Sequence, residues 1–142
     1  IVTKDTQEGE EFSGNLKTVT EERVYDFSGG FPKAAGWPSK NIHTDLAFAK
    51  ACGLPGRAAS GSMFEAYLTE LMIDLFGISW LNHGKMQLTF IRMVNIADTL
   101  VPKAVVRSRQ TDDSGIRFVM EVWCENQHGN EVVVGTATGL VQ

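Results

Sequence analysis

Two short segments of the sequence carry the residue types that proton transfer and oxyanion stabilisation require. The first is Asn41–Asp45 (NIHTD), in which His43 is the side chain suited to exchanging protons near neutral pH. The second is Ala59–Met63 (ASGSM), which opens an apolar helical pattern. The first N–H groups of a helix are free and lie at its positive end, so they can stabilise a developing oxyanion. We predict one site built from both segments.

Other familiar catalytic motifs are absent from the sequence. It has no GxSxG, no P-loop, no GxGxxG and no HExxH pattern. Cys52 and Cys124 are far apart, without CxxC spacing or a neighbouring histidine, so we expect neither a metal site nor a redox motif. His83 and His128 each lie beside a glycine in an apparent turn, and we expect both to be solvated. No cofactor is expected.

The longest apolar pattern predicts the element that positions the second segment. From Ala59 to Phe76, apolar residues recur in two adjacent helical stripes, at 63, 67, 71 and 75 and at 64, 68, 72 and 76. A helix with so wide an apolar face must be covered, and the remaining sequence offers mainly strands to cover it. These are Met86–Val94, Thr99–Arg109, Ile116–Cys124 and Glu131–Val141. The pattern predicts an α+β fold with a long central helix wrapped by an antiparallel sheet.

Shorter elements precede this helix. We predict a strand at Glu11–Val19 and then a helix from Thr20, its N-cap, to Phe27. The stretch from Ser28 to Lys40 is rich in glycine and proline and predicts a long loop. A short helix, Asp45–Ala51, follows, with Thr44 or Asp45 as its cap.

Composition narrows the classes of partner. The 142 residues are 43% hydrophobic and 21% charged with a net charge of −4, which is typical of one globular domain spanning 1–142. No run of Lys and Arg is present, so we expect no nucleic acid. No apolar stretch approaches the ~20 residues of a membrane span, so we expect no membrane partner. A cytoplasmic protein with reduced thiols is the expectation.

The order of these segments resembles that of the MaoC-like dehydratase family, which includes the (R)-specific enoyl-CoA hydratases. The segments are VTEERVYDFSGG, NIHTDLAFAKACGLPG, ASGSM with its long helix, LTFIRMV, and CENQHGNEVVVGTATGLV. The resemblance runs from about Val19 to Val141. It implies a single hotdog domain, and a homodimer or dimer-based oligomer, since hotdog sheets commonly pair edge to edge.

The resemblance also implies an activity and a set of site residues. The expected activity is that of a lyase which adds water to, or removes it from, a 2-enoyl thioester, with acyl-CoA or another acyl thioester as the bound partner. His43 matches the family histidine as general acid and base, and Gly61 matches the donor of the oxyanion N–H. Asp45 matches a residue that orders the short helix.

Four further residues are candidates for substrate binding, and three of them have an open alternative. Ser60 and Ser62 contact substrate or simply serve the helix start as cap and first-turn hydroxyl. Trp37 covers the mouth of the site or plugs the long loop onto the core. Asn41 lies in the same motif as His43.

The family's catalytic aspartate has no counterpart here. Depending on where the loop is taken as an insertion, the matching position is Pro38 or Gly30. Loss of one member of an acid/base pair costs a factor of ~10² to 10⁴ in rate. Asp26 or Asp45 could fold back to compensate. Two alternatives to the hydratase therefore stay open: a non-catalytic acyl-CoA-binding subunit, and a hotdog thioesterase.

The net charge of −4 does not attract the anionic phosphates of CoA. Any phosphate contact must come from a local cluster of cations, for which Lys103, Arg107 and Arg109 are the candidates.

Overall fold

A six-stranded antiparallel sheet surrounds one long helix. The computed structural model describes all of residues 1–142. The strands are β1 (Glu11–Ser13), β2 (Lys17–Thr18), β3 (Lys85–Phe90), β4 (Thr99–Asp112), β5 (Gly115–Asn126) and β6 (Glu131–Val141). The helices are α1 (Glu21–Ser28), α2 (Leu46–Ala51), α3 (Gly61–Phe76) and α4 (Ile78–His83). The order in the sheet is β1-β4-β5-β6-β3, and β2 also pairs with β4.

The central helix buries both of its predicted apolar stripes. All eight stripe residues of α3 are buried, and they belong to one core cluster of 25 residues. The sheet contributes alternate residues to this cluster, as in β5, where Phe118, Met120, Val122 and Cys124 are all fully buried. The predicted α+β layout, with a helix covered by a sheet, is thereby confirmed.

β4 and β5 extend a few residues beyond the predicted bounds, and the largest differences from the prediction lie in two other strands. The single strand expected over 11–19 is divided into β1 and β2, and Gly14 between them lies so close to Pro102 that a Cβ there would be 2.8 Å from the proline ring. The strand expected to reach residue 94 ends at Phe90. There the N–H groups of Ile91 and Arg92 both point to the carbonyl of Val132, which interrupts the regular pairing with β6.

Helix α4 is an element that the sequence pattern does not predict. Gly77 ends α3 at a φ of 61°, a conformation that favours glycine, and the chain then turns directly into α4. Trp80 of α4 is buried and stacks on Phe76 at 6.4 Å. Six residues are too few to show a helical period, so tertiary packing rather than local pattern forms this helix.

The starts of α1 and α2 agree with the predicted caps. The Thr20 side chain accepts from the N–H of Arg23, and the Asp45 side chain accepts from the N–H of Phe48 at 2.7 Å. Between α1 and α2 the chain forms the expected long loop, closed by a hydrogen bond from the N–H of Ser39 to the carbonyl of Gly29. None of the helices is long and apolar enough to cross a membrane.

Candidate functional site

The turn that carries His43 is held by side chains of its own sequence. The Asn41 side-chain oxygen accepts from the N–H of His43 at 2.8 Å and from that of Thr44 at 3.2 Å. Its amide nitrogen donates to the carbonyl of Ser28 at the end of α1, at 2.7 Å. The Thr44 hydroxyl donates to the carbonyl of Ser39 at 2.6 Å. Asn41 is thus engaged within the chain, which makes it part of the scaffold of the turn rather than a free substrate contact.

The imidazole of His43 has one hydrogen-bond partner. Its Nδ1 atom lies 2.6 Å from the carbonyl oxygen of Ala58. Because a carbonyl oxygen only accepts, Nδ1 carries the hydrogen of this bond. In the neutral ring Nε2 is then the unprotonated nitrogen, which suits it to accept a proton. The His43 side chain is partly buried.

No carboxylate pairs with His43. The ring forms neither an ion pair nor a hydrogen bond with any Asp or Glu. The idea that Asp26 or Asp45 folds back to it is wrong: Asp26 lies exposed on α1, and Asp45 caps α2. The two positions matched to the missing aspartate are Gly30, at a φ of 85°, and Pro38.

The start of α3 presents free backbone donors. No hydrogen bond within the chain uses the N–H of Gly61 or Ser62. Ser60 stands at the N-cap position, but its hydroxyl makes no capping bond; it shares a hydrogen bond of 2.8 Å with the Ser62 hydroxyl. Of the two alternatives for Ser60, capping of α3 by its side chain is therefore wrong. These two N–H groups, at the positive end of a 16-residue helix, can donate hydrogen bonds to an oxyanion.

An apolar groove of about 530 Å³ adjoins Gly61. Phe90 forms part of its wall and packs on the start of α3, since a Cβ on Gly61 would lie 2.8 Å from the Phe90 ring. Phe64 and Phe90 form a tilted aromatic pair at 6.2 Å. Arg92 is the one charged residue of the lining. The lining residues are Ala59, Gly61, Phe64, Phe90, Ile91, Arg92, Met93 and Val94.

Trp37 packs onto helix α1. Its ring meets that of Tyr25 edge to face at 6.1 Å, and its indole nitrogen is buried without a hydrogen-bond partner. Gly29 leaves the room that this packing needs, since a Cβ there would lie 2.9 Å from the Trp37 nitrogen. Of the two alternatives for Trp37, these contacts correspond to a plug that fixes the long loop to the body of the protein.

The cations expected to bind phosphate are already paired within the chain. Lys103 binds Glu125 at 2.8 Å, and its hydrogen bond holds the pKa of that carboxyl below the ordinary value. Arg107 pairs with Glu121, and Arg109 donates to backbone carbonyls near the N-terminus. All three side chains therefore serve as ion pairs or anchors within the chain, and they do not form the free cation cluster that was expected to bind phosphate. No group of three or more His, Cys, Asp or Glu residues is placed to hold a metal ion.

Sequence reasoning missed three contributors to the site. Arg57 joins the His43 turn to α1, and Phe90 and Arg92 line the groove beside Gly61. Arg57 carries a weak signal, an arginine in the turn just before the predicted long helix. Phe90 and Arg92 carry none, because only the tertiary fold brings the end of β3 to the start of α3.

Comparison with known proteins finds similar solved structures but no matching family model or curated protein. Solved structures do match over nearly the full length. A monoamine oxidase regulatory protein from Archaeoglobus is 24% identical with a TM-score of 0.77, covering 99% of this chain and 94% of that one.

Two further matches carry enzyme names. The (R)-hydratase PhaJ1 from Pseudomonas aeruginosa is 20% identical with a TM-score of 0.76, covering 96% of this chain and 83% of that one. A MaoC-like dehydratase from Rhodospirillum rubrum is 18% identical with a TM-score of 0.76, covering 100% and 98%. The fold that the resemblance implies is therefore confirmed: the chain has the hotdog fold that these MaoC-like dehydratases and (R)-hydratases share.

Proposed function

We propose that the protein binds an acyl thioester and catalyses addition of water to, or its removal from, a 2-enoyl thioester. One observation carries this proposal. The carbonyl of Ala58 holds the His43 ring, and the free N–H of Gly61 follows only a few residues later. A proton acceptor and an oxyanion donor are thus fixed to the same short segment, which is the pairing that this reaction requires.

The proposed reaction uses His43 in both directions of proton transfer. Nε2 removes a proton from water while the water oxygen bonds to C3 of the enoyl group. The electron pair of the double bond moves to the thioester oxygen, where the N–H of Gly61 stabilises the enolate charge. The imidazolium then returns the proton to C2, which completes the addition and regenerates neutral His43. Dehydration is the reverse of these steps.

The groove beside Gly61 is the proposed acyl site. Its apolar lining suits a hydrocarbon chain, and Arg92 supplies the single positive charge at its edge. A second groove, of about 550 Å³, lies along the outer face of α3 but carries Glu65, Glu70 and Asp74. Like charge disfavours an anionic CoA there, so we assign the thioester to the first groove.

The proposed assembly is a dimer formed through β3. This strand pairs on one side only, with β6, and so leaves an unpaired edge. Phe90 and Ile91 at its end are about half exposed, at 52% and 51%. A second copy added at this edge would cover both side chains beside the groove.

A second candidate function is acyl-thioester binding without turnover. The observation that favours it is the absence of any carboxylate bonded to His43. A lone imidazole oriented by a backbone carbonyl lacks the second acid/base group, which is worth ~10² to 10⁴ in rate. The protein would then bind substrate for another chain, or sense it.

Turnover assays on matched histidine variants separate these functions. Crotonyl-CoA and longer 2-enoyl-CoAs are followed by loss of the conjugated double bond, and free thiol is measured in parallel. The variants are His43→Gln and, as a control, His83→Gln, because His83 is exposed at the end of α4. We expect hydration without thiol release, reduced at least ~10²-fold in His43→Gln and unchanged in His83→Gln.

Three results would decide against the main proposal. Turnover that His43→Gln leaves intact would exclude His43 as the acid and base. Release of free CoA in place of hydration would indicate thioester hydrolysis. Thermal stabilisation by acyl-CoA with no turnover of any 2-enoyl-CoA would support the second candidate.

A further inference from the structure

We propose that Arg57 is a positioning residue for His43. The proposal extends the proposed function, because it concerns the residue that would act there as acid and base. Arg57 itself does not touch the imidazole. It fixes the turn that bears the imidazole, through hydrogen bonds that no motif in the sequence reveals.

The dipeptide Arg57–Ala58 contacts three successive residues of the His43 turn. The N–H of Ala58 points to the carbonyl of Ile42 at 3.4 Å. The carbonyl of Ala58 accepts from His43 Nδ1 at 2.6 Å. The Arg57 guanidinium donates from Nη1 to the carbonyl of Thr44 at 3.2 Å. The turn is therefore held before, at and after His43 by the same two residues.

The Arg57 guanidinium is itself held in place by two side chains of helix α1. Nη1 of Arg57 also donates to the Tyr25 hydroxyl at 3.0 Å, and Nη2 donates to Glu21 Oε1 at 2.7 Å. The Tyr25 hydroxyl donates to the same carboxyl oxygen at 2.6 Å. Hydrogen bonds from Tyr25 and Arg57 hold the pKa of Glu21 below its ordinary value, so Glu21 stays charged at neutral pH.

These hydrogen bonds depend on the planar, forked shape of the arginine side chain. The Arg57 side chain is 19% exposed whereas that of Glu21 is 54% exposed, so the ion pair by itself adds little stability. The planar guanidinium, however, reaches Thr44, Tyr25 and Glu21 at once. A lysine ammonium is a single point of charge and cannot reproduce that fork. The contribution of Arg57 is thus orientation of the turn, on which proton transfer depends steeply.

The first test measures the tautomer of the His43 ring in the absence of substrate. Nitrogen NMR of ¹⁵N-histidine-labelled protein reports the tautomer of each ring, and His43→Gln assigns the His43 signals. We expect the Nδ1–H tautomer in the wild-type protein and a mixture of tautomers in Arg57→Gln. Arg107→Gln is the matched control, since Arg107 pairs with Glu121 on the sheet, and it should leave the His43 signals unchanged.

The second test measures turnover in the same variants. For Arg57→Gln we expect kcat to fall about 10-fold with KM changed less than about 3-fold, because binding groups stay in place while the imidazole is misaligned. Arg57→Lys should lie between wild type and Arg57→Gln. If Arg57→Gln fails to fold, Arg57→Lys and Glu21→Gln replace it in both tests. We expect them to change the His43 tautomer and kcat in the same direction, but by less.

The two tests distinguish failure of the positioning role of Arg57 from failure of the proposed function. An unchanged His43 tautomer in the folded Arg57 variants overturns the positioning role whatever the turnover. A changed tautomer in a protein that turns over no 2-enoyl-CoA supports the positioning role and contradicts the proposed function. A fall in kcat of equal size in Arg107→Gln would also overturn the proposal, since that change would then reflect general destabilisation.

Discussion

The Nδ1 atom of His43 lies 2.6 Å from the carbonyl oxygen of Ala58, so one peptide group joins the proposed base to the start of α3. In a helix that began one turn earlier, this carbonyl would accept from the N–H of Ser62. The imidazole uses the acceptor instead, and the N–H groups of Gly61 and Ser62 stay free of partners within the chain. The hydrogen bond between His43 and Ala58 therefore orients the acid/base group. It also occupies the carbonyl next to the start of α3, where the N–H groups remain available to an anion.

Replacing Asn41 should loosen the turn on which that hydrogen bond depends. Its side chain accepts from the N–H groups of His43 and Thr44 and donates to the carbonyl of Ser28. Asn41→Ala removes all three bonds, and we expect the free energy of unfolding to fall by about 2–4 kcal/mol. Urea unfolding measures this loss. Asn82→Ala is the control, because Asn82 is exposed on α4, and an equal loss there would contradict the role given to Asn41.

A second prediction concerns the contact between Gly61 and Phe90. A Cβ at Gly61 would lie 2.8 Å from the tip of the Phe90 ring, which is half exposed and can move aside, so Gly61→Ala should cost at most about 1 kcal/mol of stability. In the double variant Gly61→Ala/Phe90→Leu, the smaller side chain should remove most of that cost. Urea unfolding of the four proteins in this cycle gives the coupling energy directly.

The control for this cycle is a glycine with open space around it. A Cβ on Gly56 would meet nothing within 4 Å, so Gly56→Ala should not couple to Phe90→Leu. Additive effects of Gly61→Ala and Phe90→Leu would show that Phe90 does not cover the helix start. In that case the groove beside Gly61 would be open to larger ligands than the structure indicates.

The sequence predicts elements whose own residues repeat with a clear period. The two stripes of α3 and the alternation in β5 are such patterns, and both elements are buried as expected. The caps Thr20 and Asp45 act through side chains within a few residues, so local sequence suffices to find them as well. The turn at His43 is equally local, since its Asn41 partner is two residues away, but the residue type alone suggests substrate binding for Asn41 and not this contact.

Contacts between distant segments have no such signal. Arg57 meets Glu21 across 36 positions, and Phe90 reaches Gly61 only because β3 ends beside the start of α3. The acceptor for His43 Nδ1 is a backbone carbonyl, which every residue possesses, so no residue type marks Ala58. Helix α4 was missed for a related reason, since its six residues are stabilised by packing of Trp80 on Phe76.

The proposed dimer predicts a localised effect of charge at the β3 edge. Phe90 is 52% exposed at the end of that strand. Two lysines facing each other across a two-fold axis repel, so Phe90→Lys should raise the dimer dissociation constant at least ~10-fold. Sedimentation equilibrium measures this. Leu16→Lys is the control, because Leu16 is 61% exposed just before β2, at the opposite side of the sheet. A wild-type protein that stays monomeric would exclude the dimer.

Cys124 should make the protein sensitive to alkaline pH. Burial raises the pKa of its thiol from 9.0 to about 12, whereas Cys52 is exposed. Between these two pKa values the unfolded chain releases the thiol proton and the folded chain keeps it. The free energy of unfolding therefore has its full value below pH 9.0 and falls as pH rises towards 12, by about 1.4 kcal/mol per pH unit.

Cysteine variants isolate this contribution from those of other groups that titrate in the same range. Urea unfolding as a function of pH should give a shallower alkaline decline for Cys124→Ala than for wild type, because the group that causes the difference is gone. Cys52→Ala should keep the wild-type slope, because it removes an exposed side chain and leaves the buried Cys124 thiol in place. Equal slopes in all three proteins would mean that the Cys124 thiol reaches solvent in the folded state. The buried end of β5 would then open without global unfolding, and thiol labelling at pH 8 would modify both cysteines and not only Cys52.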